Sequence, residues 1–246
     1  MLNAAGEVQN QYAGVKFRHE QSRRMDALDR RIAAGDVEAR TEQAAYWLMW
    51  QDSTPAQVAG AMASLERAAD LGSAHAQALL GDILLPGRTF EWRSPGLATD
   101  PARGLRLVLQ AATKGCKYKA PEPTRWYEIT PTALLADYYA KGGDEVARMT
   151  WRARGVLHCA YPEARELMYG VGGRDGGIER NNDLALLLLS GDAASYNLVA
   201  ANVSAKQLAA AEVLAADLRR LVAASEQQYP APPREQKHEP SMSRKQ

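Results

Sequence analysis

The sequence predicts an all-α chain of short, stacked helix pairs, and three observations predict it. Alanine and leucine dominate an apolar fraction of 46%, while Val, Ile and Phe are scarce, a balance that favours helix over strand. The segment Ala68-Ala69-Asp70-Leu71-Gly72 recurs 43 residues later as Ala111-Ala112-Thr113-Lys114-Gly115. A second pair, Ala78-Leu79-Leu80-Gly81-Asp82 and Ala133-Leu134-Leu135-Ala136-Asp137, is followed in each copy by a glycine, Gly87 and Gly142. Self-similarity at a period of this length is the mark of a repeat architecture.

The physics of the repeated unit explains its residues. Two alanines near the end of a helix let a neighbouring helix approach closely, and a glycine three residues later takes the left-handed conformation that stops the helix. A partial copy precedes these at Ala33-Ala34-Gly35, and another is expected at Ala193-Ala194-Ser195-Tyr196-Asn197, with Asn in the stop position. Taken in order, the pattern predicts a charged helix over 16–34. Helix pairs follow at 37–51 with 55–71, 74–85 with 101–114, 131–141 with 144–159, and 162–170 with 182–196, and a closing helix spans 203–224. Thr54-Pro55 and Asp100-Pro101 place proline at the first helical position behind a capping side chain. Three segments result: an N-terminal helix and lead-in over 1–34, a repeat domain over 35–224, and a Pro- and charge-rich tail over 225–246 that composition predicts to be disordered. Residues 86–99 and 116–130 form loops longer than the other connections, which points to function or disorder.

Charge and composition exclude several function classes. With 30 basic and 29 acidic residues and a net charge of +1, the chain carries no global signal for nucleic acid or an anionic membrane. The basic run from Lys16 to Arg31 is broken by Glu20, Asp26 and Asp29 and reads as a solvated helix face. No apolar stretch reaches the ~18 residues of a membrane span. Met1 to Gln11 lacks the apolar core of a signal peptide; the sequence as given points to the cytoplasm, or to the periplasm if a leader was removed. His19, His75, His158 and His238 have no second ligand at metal spacing, so neither a metal nor a cofactor is expected, and His75 reads as a solvated or capping histidine. The run Gly170-Val171-Gly172-Gly173-Arg174-Asp175-Gly176-Gly177 lacks the Gly-Lys-Ser/Thr of a phosphate loop. Cys116 and Cys159 lie about one period apart. At the ends of stacked equivalent helices they would be separated by roughly 8–10 Å, beyond the ~7 Å limit for a disulfide, so two free thiols are expected.

The pattern Ala76, Leu80, Gly81, Gly87, Asp100, Gly104, Ala111, Ala112, Gly115, with a second match at Leu135, Tyr139, Gly142 and Trp151, resembles the Sel1-like repeat family. The resemblance covers roughly residues 33–201; in the third repeat the expected Ala-Ala-x-x-Gly reads Gly155-Val156-Leu157-His158-Cys159. It implies a right-handed α-α superhelix with a terminal capping helix, and a protein or peptide partner held on the concave face without catalysis. Trp47 and Tyr139 align with the family's packing tyrosine and Trp151 with its core tryptophan. Tyr46, Trp50 and Tyr138 fall off those positions and, with Asp82, would face the partner. The long loops contribute Arg88, Trp92, Arg93, Arg125, Trp126 and Tyr127, residue types in which interface binding energy concentrates. These loop aromatics either meet a partner or fold back over the groove between the helices. The leading expectation is an adaptor-type bacterial scaffold, monomeric without its partner. One alternative is an immunity protein that neutralises a secreted effector. Another, from a different class, is a cell-wall-related hydrolase, for which no Ser or Cys stands beside a plausible base. If the loops carry the interface, replacing Trp92 and Trp126 together by alanine lowers partner recovery in affinity capture relative to wild type; equal recovery removes the loops from the contact surface.

Overall fold

The computed structural model describes residues 19–49, 53–86, 99–119, 127–172 and 178–233, and these are almost wholly helical. The helices are α1 (19–33), α2 (Val37–Met49), α3 (Pro55–Asp70), α4 (Ala74–Leu84), α5 (Pro101–Ala112), α6 (Pro131–Lys141), α7 (Glu145–Cys159), α8 (Ala164–Gly172), α9 (Ile178–Ser190), α10 (Ala193–Ala200) and α11 (Ala205–Glu226). Between α5 and α6 a two-residue ladder pairs β1 (Tyr118–Lys119) with β2 (Glu128–Ile129).

Side chains fix where the helices begin, by replacing the partners that the first turn lacks. Thr54 and Gln57 form a reciprocal capping box ahead of Pro55, and Ser204 and Gln207 do the same for α11. Ser73, Asp100, Asp144 and Asp192 each accept a backbone N–H from the first turn of the helix they precede. The helix stops follow the predicted chemistry at Gly35 and Gly72, both with positive φ. They depart from it three times. Gly115, the stop of the second copy, does not take positive φ; there a Cβ would meet the Tyr118 hydroxyl, which donates to the Ala111 carbonyl. The predicted helix 182–196 is two helices, α9 and α10. Gly191, at φ 72°, stops the first and Asp192 caps the second, so Ala193-Ala194 opens a helix instead of closing one. In the third repeat, which lacks the glycine, Ala160 itself takes the left-handed conformation that ends α7.

The chain gathers into two compact units, one within residues 1–107 and 119–129, the other within 108–118 and 130–246. In the first, α2 and α3 pack together and α4 packs on both. Its centre is Leu48, Leu65, Leu79, Leu80 and Ile83, all fully buried, each contributing roughly 2 kcal/mol by burial against about 1 kcal/mol for a typical cap. Packing therefore outweighs capping, and the caps chiefly set helix ends. A Cβ added at Gly104 would lie 3.1 Å from the Leu84 Cβ and 3.2 Å from the Gly81 carbonyl. Two of the repeated small residues thus mark a close helix approach.

In the second unit α6 packs against α7 and α8 against α9, while α11 lies on α7 and α9. α11 buries Ala211, Ala215, Leu218 and Val222, one face at helical spacing, against a core that includes Leu167, Leu184, Leu186 and Leu187. The chain does not come loose at 225. The Arg154 guanidinium, 1% exposed, donates to the Ser225 hydroxyl and to the carbonyls of Tyr229 and Pro230. It also stacks 4.8 Å from the Trp151 ring centre. Ordered, partnered structure therefore continues past the expected start of the tail, whose residues 234–246 lie outside the described ones. Burial pulls the Arg154 pKa down, opposed by Glu226.

The expectation of two free thiols is corrected: Cys116 and Cys159 are disulfide-bonded, with Cα atoms 5.2 Å apart. Axis spacing was the wrong measure, because neither cysteine sits mid-helix. Cys116 follows the turn after α5, and Cys159 is the last residue of α7, so the chain brings them closer than the helix axes. The bridge closes a 43-residue separation, for which restriction of the unfolded chain is worth roughly 4 kcal/mol. Adding reductant should lower the Tm by about 10 °C, whereas a Cys116→Ala, Cys159→Ala variant should melt near the reduced wild type with or without reductant. A wild-type Tm indifferent to reductant would refute the bond.

Candidate functional site

Four of the ten expected contact residues, Tyr46, Asp82, Tyr127 and Tyr138, are among the described ones. Trp50, Arg88, Trp92, Arg93, Arg125 and Trp126 lie outside the described residues. Three others are interior: Tyr46 is 4% exposed, Asp82 1% and Tyr127 3%. Tyr138 is half-buried beside Tyr139, edge to face. Tyr46 and Trp47 exchange their expected roles, since Trp47 is the less buried of the two. The physical reason is a neighbour that the repeat pattern does not contain. α1 packs on α2 through Asp29–Gln43 and Arg31–Glu42 hydrogen bonds, and Arg24 of α1 acts on the Tyr46 hydroxyl while burial raises its pKa. With helices on both sides, α2 has no free face at Tyr46.

Tyr127 folds back, and it meets a histidine that the sequence left as solvated or capping. His75 is corrected accordingly: its Nε2 lies 2.7 Å from the Tyr127 hydroxyl and its Nδ1 3.5 Å from Glu38. Glu38 also accepts from the Ser73 hydroxyl at 2.6 Å, and Ser73 lies 3.4 Å from the Thr41 hydroxyl. The contact with His75 holds the Glu38 carboxyl below its usual pKa against desolvation, with help from Ser73. Burial pushes the Tyr127 phenol far above its usual value, reinforced by Glu42 and Glu38. This array ties α2, α4 and the β2 end of the long loop together. Its hydroxyls are committed: Ser73 Oγ accepts the Ala76 N–H as it donates to Glu38.

In the second unit the helices open a groove of about 350 Å³. Its floor is the face of α6 formed by Ala133, Ala136, Asp137 and Ala140, and it is completed by Arg148 and Arg152 of α7 and by Tyr161, Pro162, Glu166 and Leu167. The spacing of three, four and seven along α6 puts those four residues on one side. Two glycines make the surroundings possible. A Cβ on Gly155 would collide with the Tyr161 carbonyl, and one on Gly170 would collide with the Asp183 carboxylate. Gly170, which opened the suspected phosphate-loop run, is thus a clearance for Asp183; residues 173–177 of that run lie outside the described ones. Asp183 in turn accepts from Arg152 at 2.6 Å. Arg148 forks onto Glu145 at 2.7 and 2.8 Å, which holds the Glu145 carboxyl below its usual range, with Asn182 adding a further bond. Burial, then Glu166 and Asp137, raise the Tyr161 pKa, so the phenol keeps its proton at neutral pH.

Sequence reasoning singled out none of Arg148, Arg152, Tyr161 or Glu166. One signal was available: Arg148 and Arg152 stand four apart on α7, hence on one face. Among the described residues no group of three His, Cys, Asp or Glu side chains is placed to hold a metal ion, and no helix is long and apolar enough to cross a membrane. No family model matches the chain, and no curated protein or solved structure matches it at a significant level.

The Glu38 array gives a pH test. A carboxyl with a depressed folded pKa contributes stability above its unfolded value, and that contribution fades as pH falls through the folded one. Half of the Glu38 side chain is exposed, so solvent limits the effect to under about 1 kcal/mol. Glu38→Gln should lower the Tm at pH 7, and the difference from wild type should shrink below pH 4.5, the ordinary Glu value. A gap that persists undiminished at pH 3 would show that the charge of Glu38 is not what stabilises.

Proposed function

We propose that the chain is a helical-repeat scaffold, resembling the Sel1-like family, whose helix pairs stack as a right-handed superhelix. In this reading it holds a segment of a partner protein and catalyses no reaction. The observation that carries it is the groove along α6: a floor of Ala133, Ala136 and Ala140 between charged walls. Small side chains at helical spacing leave room for a partner's side chains, and a helix face with an apolar floor is a recurring way to receive a peptide. The repeated starts and stops support the repeat architecture, because chemically alike caps precede α3, α4, α7, α10 and α11.

The hydrolase alternative needs a hydroxyl or thiol free to attack. Among the described residues, Ser73 beside Glu38 and His75 is such a grouping, but it is buried and spent as a helix cap. Both cysteines are bonded to each other. The adaptor and immunity readings share one surface and differ in the partner: an immunity protein binds a single effector in fixed stoichiometry, an adaptor several assembly factors.

A groove-filling substitution tests the scaffold reading. Ala140 is exposed at one end of the floor, so Ala140→Trp should fold normally while occupying the space. Peptides selected from a random dodecapeptide library on wild type should bind this variant at least about tenfold more weakly, or 1.4 kcal/mol, at unchanged Tm. Peptides that bind both proteins equally would place the contact elsewhere.

A further inference from the structure

The geometry points to a basic side chain, lysine or arginine, as what the α6–α8 groove takes from its partner; this rests on the scaffold reading above. The groove is walled by two guanidiniums, and both are engaged within the fold, Arg148 by the forked bond to Glu145 and Arg152 by Asp183. An anionic ligand would bring a further negative charge against guanidiniums that already face carboxylates, and the Arg152–Asp183 pair is largely buried, where pulling one member away leaves the other uncompensated. The groove's other two charges are Asp137 and Glu166. Both are exposed, and among the described residues neither carboxylate has a side-chain hydrogen bond or ion pair. Both are close enough to Tyr161 to raise its pKa, which places them about a common point. Lys117, the further cation felt at Tyr161, does not line the groove and has a partner of its own. Among the described residues, four carboxylates thus stand against two guanidiniums, and the unspent charge is negative.

Shape agrees with charge. Lysine and arginine carry a long aliphatic stem and a charged head, and they lay the stem on apolar surface while the head reaches polar partners. Ala133 and Ala140, the floor alanines that are not buried, offer the surface for the stem. Asp137, which projects from the same α6 face, and Glu166 across the groove offer acceptors for the head. The protonated Tyr161 hydroxyl adds a neutral acceptor that does not compete for charge. An acidic or phosphorylated segment meets none of these conditions.

The test uses the same peptide selection on the full chain. Peptides recovered on wild type should share a Lys or Arg at one position, and norleucine in its place should weaken binding about tenfold, as for loss of a close charge pair. An Asp137→Asn, Glu166→Gln variant removes both charges at nearly constant shape on exposed sites; it should bind the lysine and norleucine peptides alike. Affinity for the lysine peptide should also fall as salt rises. Peptides that are lost on Ala140→Trp but show no basic preference, or whose preference survives in the double variant, would overturn this inference and leave the groove reading in place. Peptides indifferent to Ala140→Trp, or the recovery of none, would overturn both.

Discussion

Close approach between helices through small side chains is the constraint on which the rest depends. A chain rich in alanine gives each helix a shallow apolar face, so a single helix pair buries little, and stability comes only when several faces meet at short distance. Gly104 shows how tight that contact is. A methyl group there would press on Leu84, Leu85 and the Gly81 carbonyl at 3.1–3.2 Å, so a neighbour would have to give way. Ala39, Ala68, Ala76, Ala78 and Ala111 are fully buried, and each recurs in or near the repeated motif. The repeat is therefore less a pattern of large residues than a pattern of absences, kept where neighbours must come close.

The polar interior follows from the same closeness. Where backbones approach, there is room for a few charged groups only if the fold makes it, and glycine does so in the second unit. Gly170 clears space for Asp183, which takes Arg152; Glu145 takes Arg148 and Asn182. These links tie α7 to α9 and align the two arginines along one wall of the groove. A comparable device closes the end of the chain, where Arg154 gathers Ser225, Tyr229 and Pro230 and His158 pairs with Glu226 at 2.5 Å. Buried groups of this kind add less stability than hydrophobic packing of equal volume. What they give is a fixed relation between α7 and the segment after α11.

Helix identity was legible in the sequence because its signals are local. Thr54-Pro55, Asp100-Pro101 and Gly72 act within one turn, and each does in the structure what its chemistry dictates. Two failures are local, at Gly115 and at the break between α9 and α10; the others are non-local. Asn197 looked like a stop because it occupied the glycine position of the motif, but Gly191 and Asp192 upstream had already ended one helix and begun another. The disulfide escapes the sequence reading because helix-axis spacing does not hold for one residue at the end of a helix and another past the end of its neighbour. Tyr46 reads as partner-facing because the repeat pattern does not place α1 against it, and His75 as solvated or capping because its partner Tyr127 is 52 positions away. The groove was half visible: the α6 alanines and the α7 arginines have helical spacing, but the carboxylate that Arg152 takes lies on α9, a different part of the chain.

That last dependence is what gives the groove its character. Read from α6 and α7 alone, Arg148 and Arg152 make a basic wall, and the natural ligand would be an anion. Glu145 reverses this at Arg148 from within the same helix, at three residues' distance. Asp183 reverses it at Arg152 from α9, and only because position 170 lacks a side chain. With both arginines answered internally, the charge that remains is that of Asp137 and Glu166, and the sign of the surface is opposite to that of its most conspicuous residues. The same counting applies wherever arginines line a cleft: the ligand is chosen by the charges the fold has not already paired.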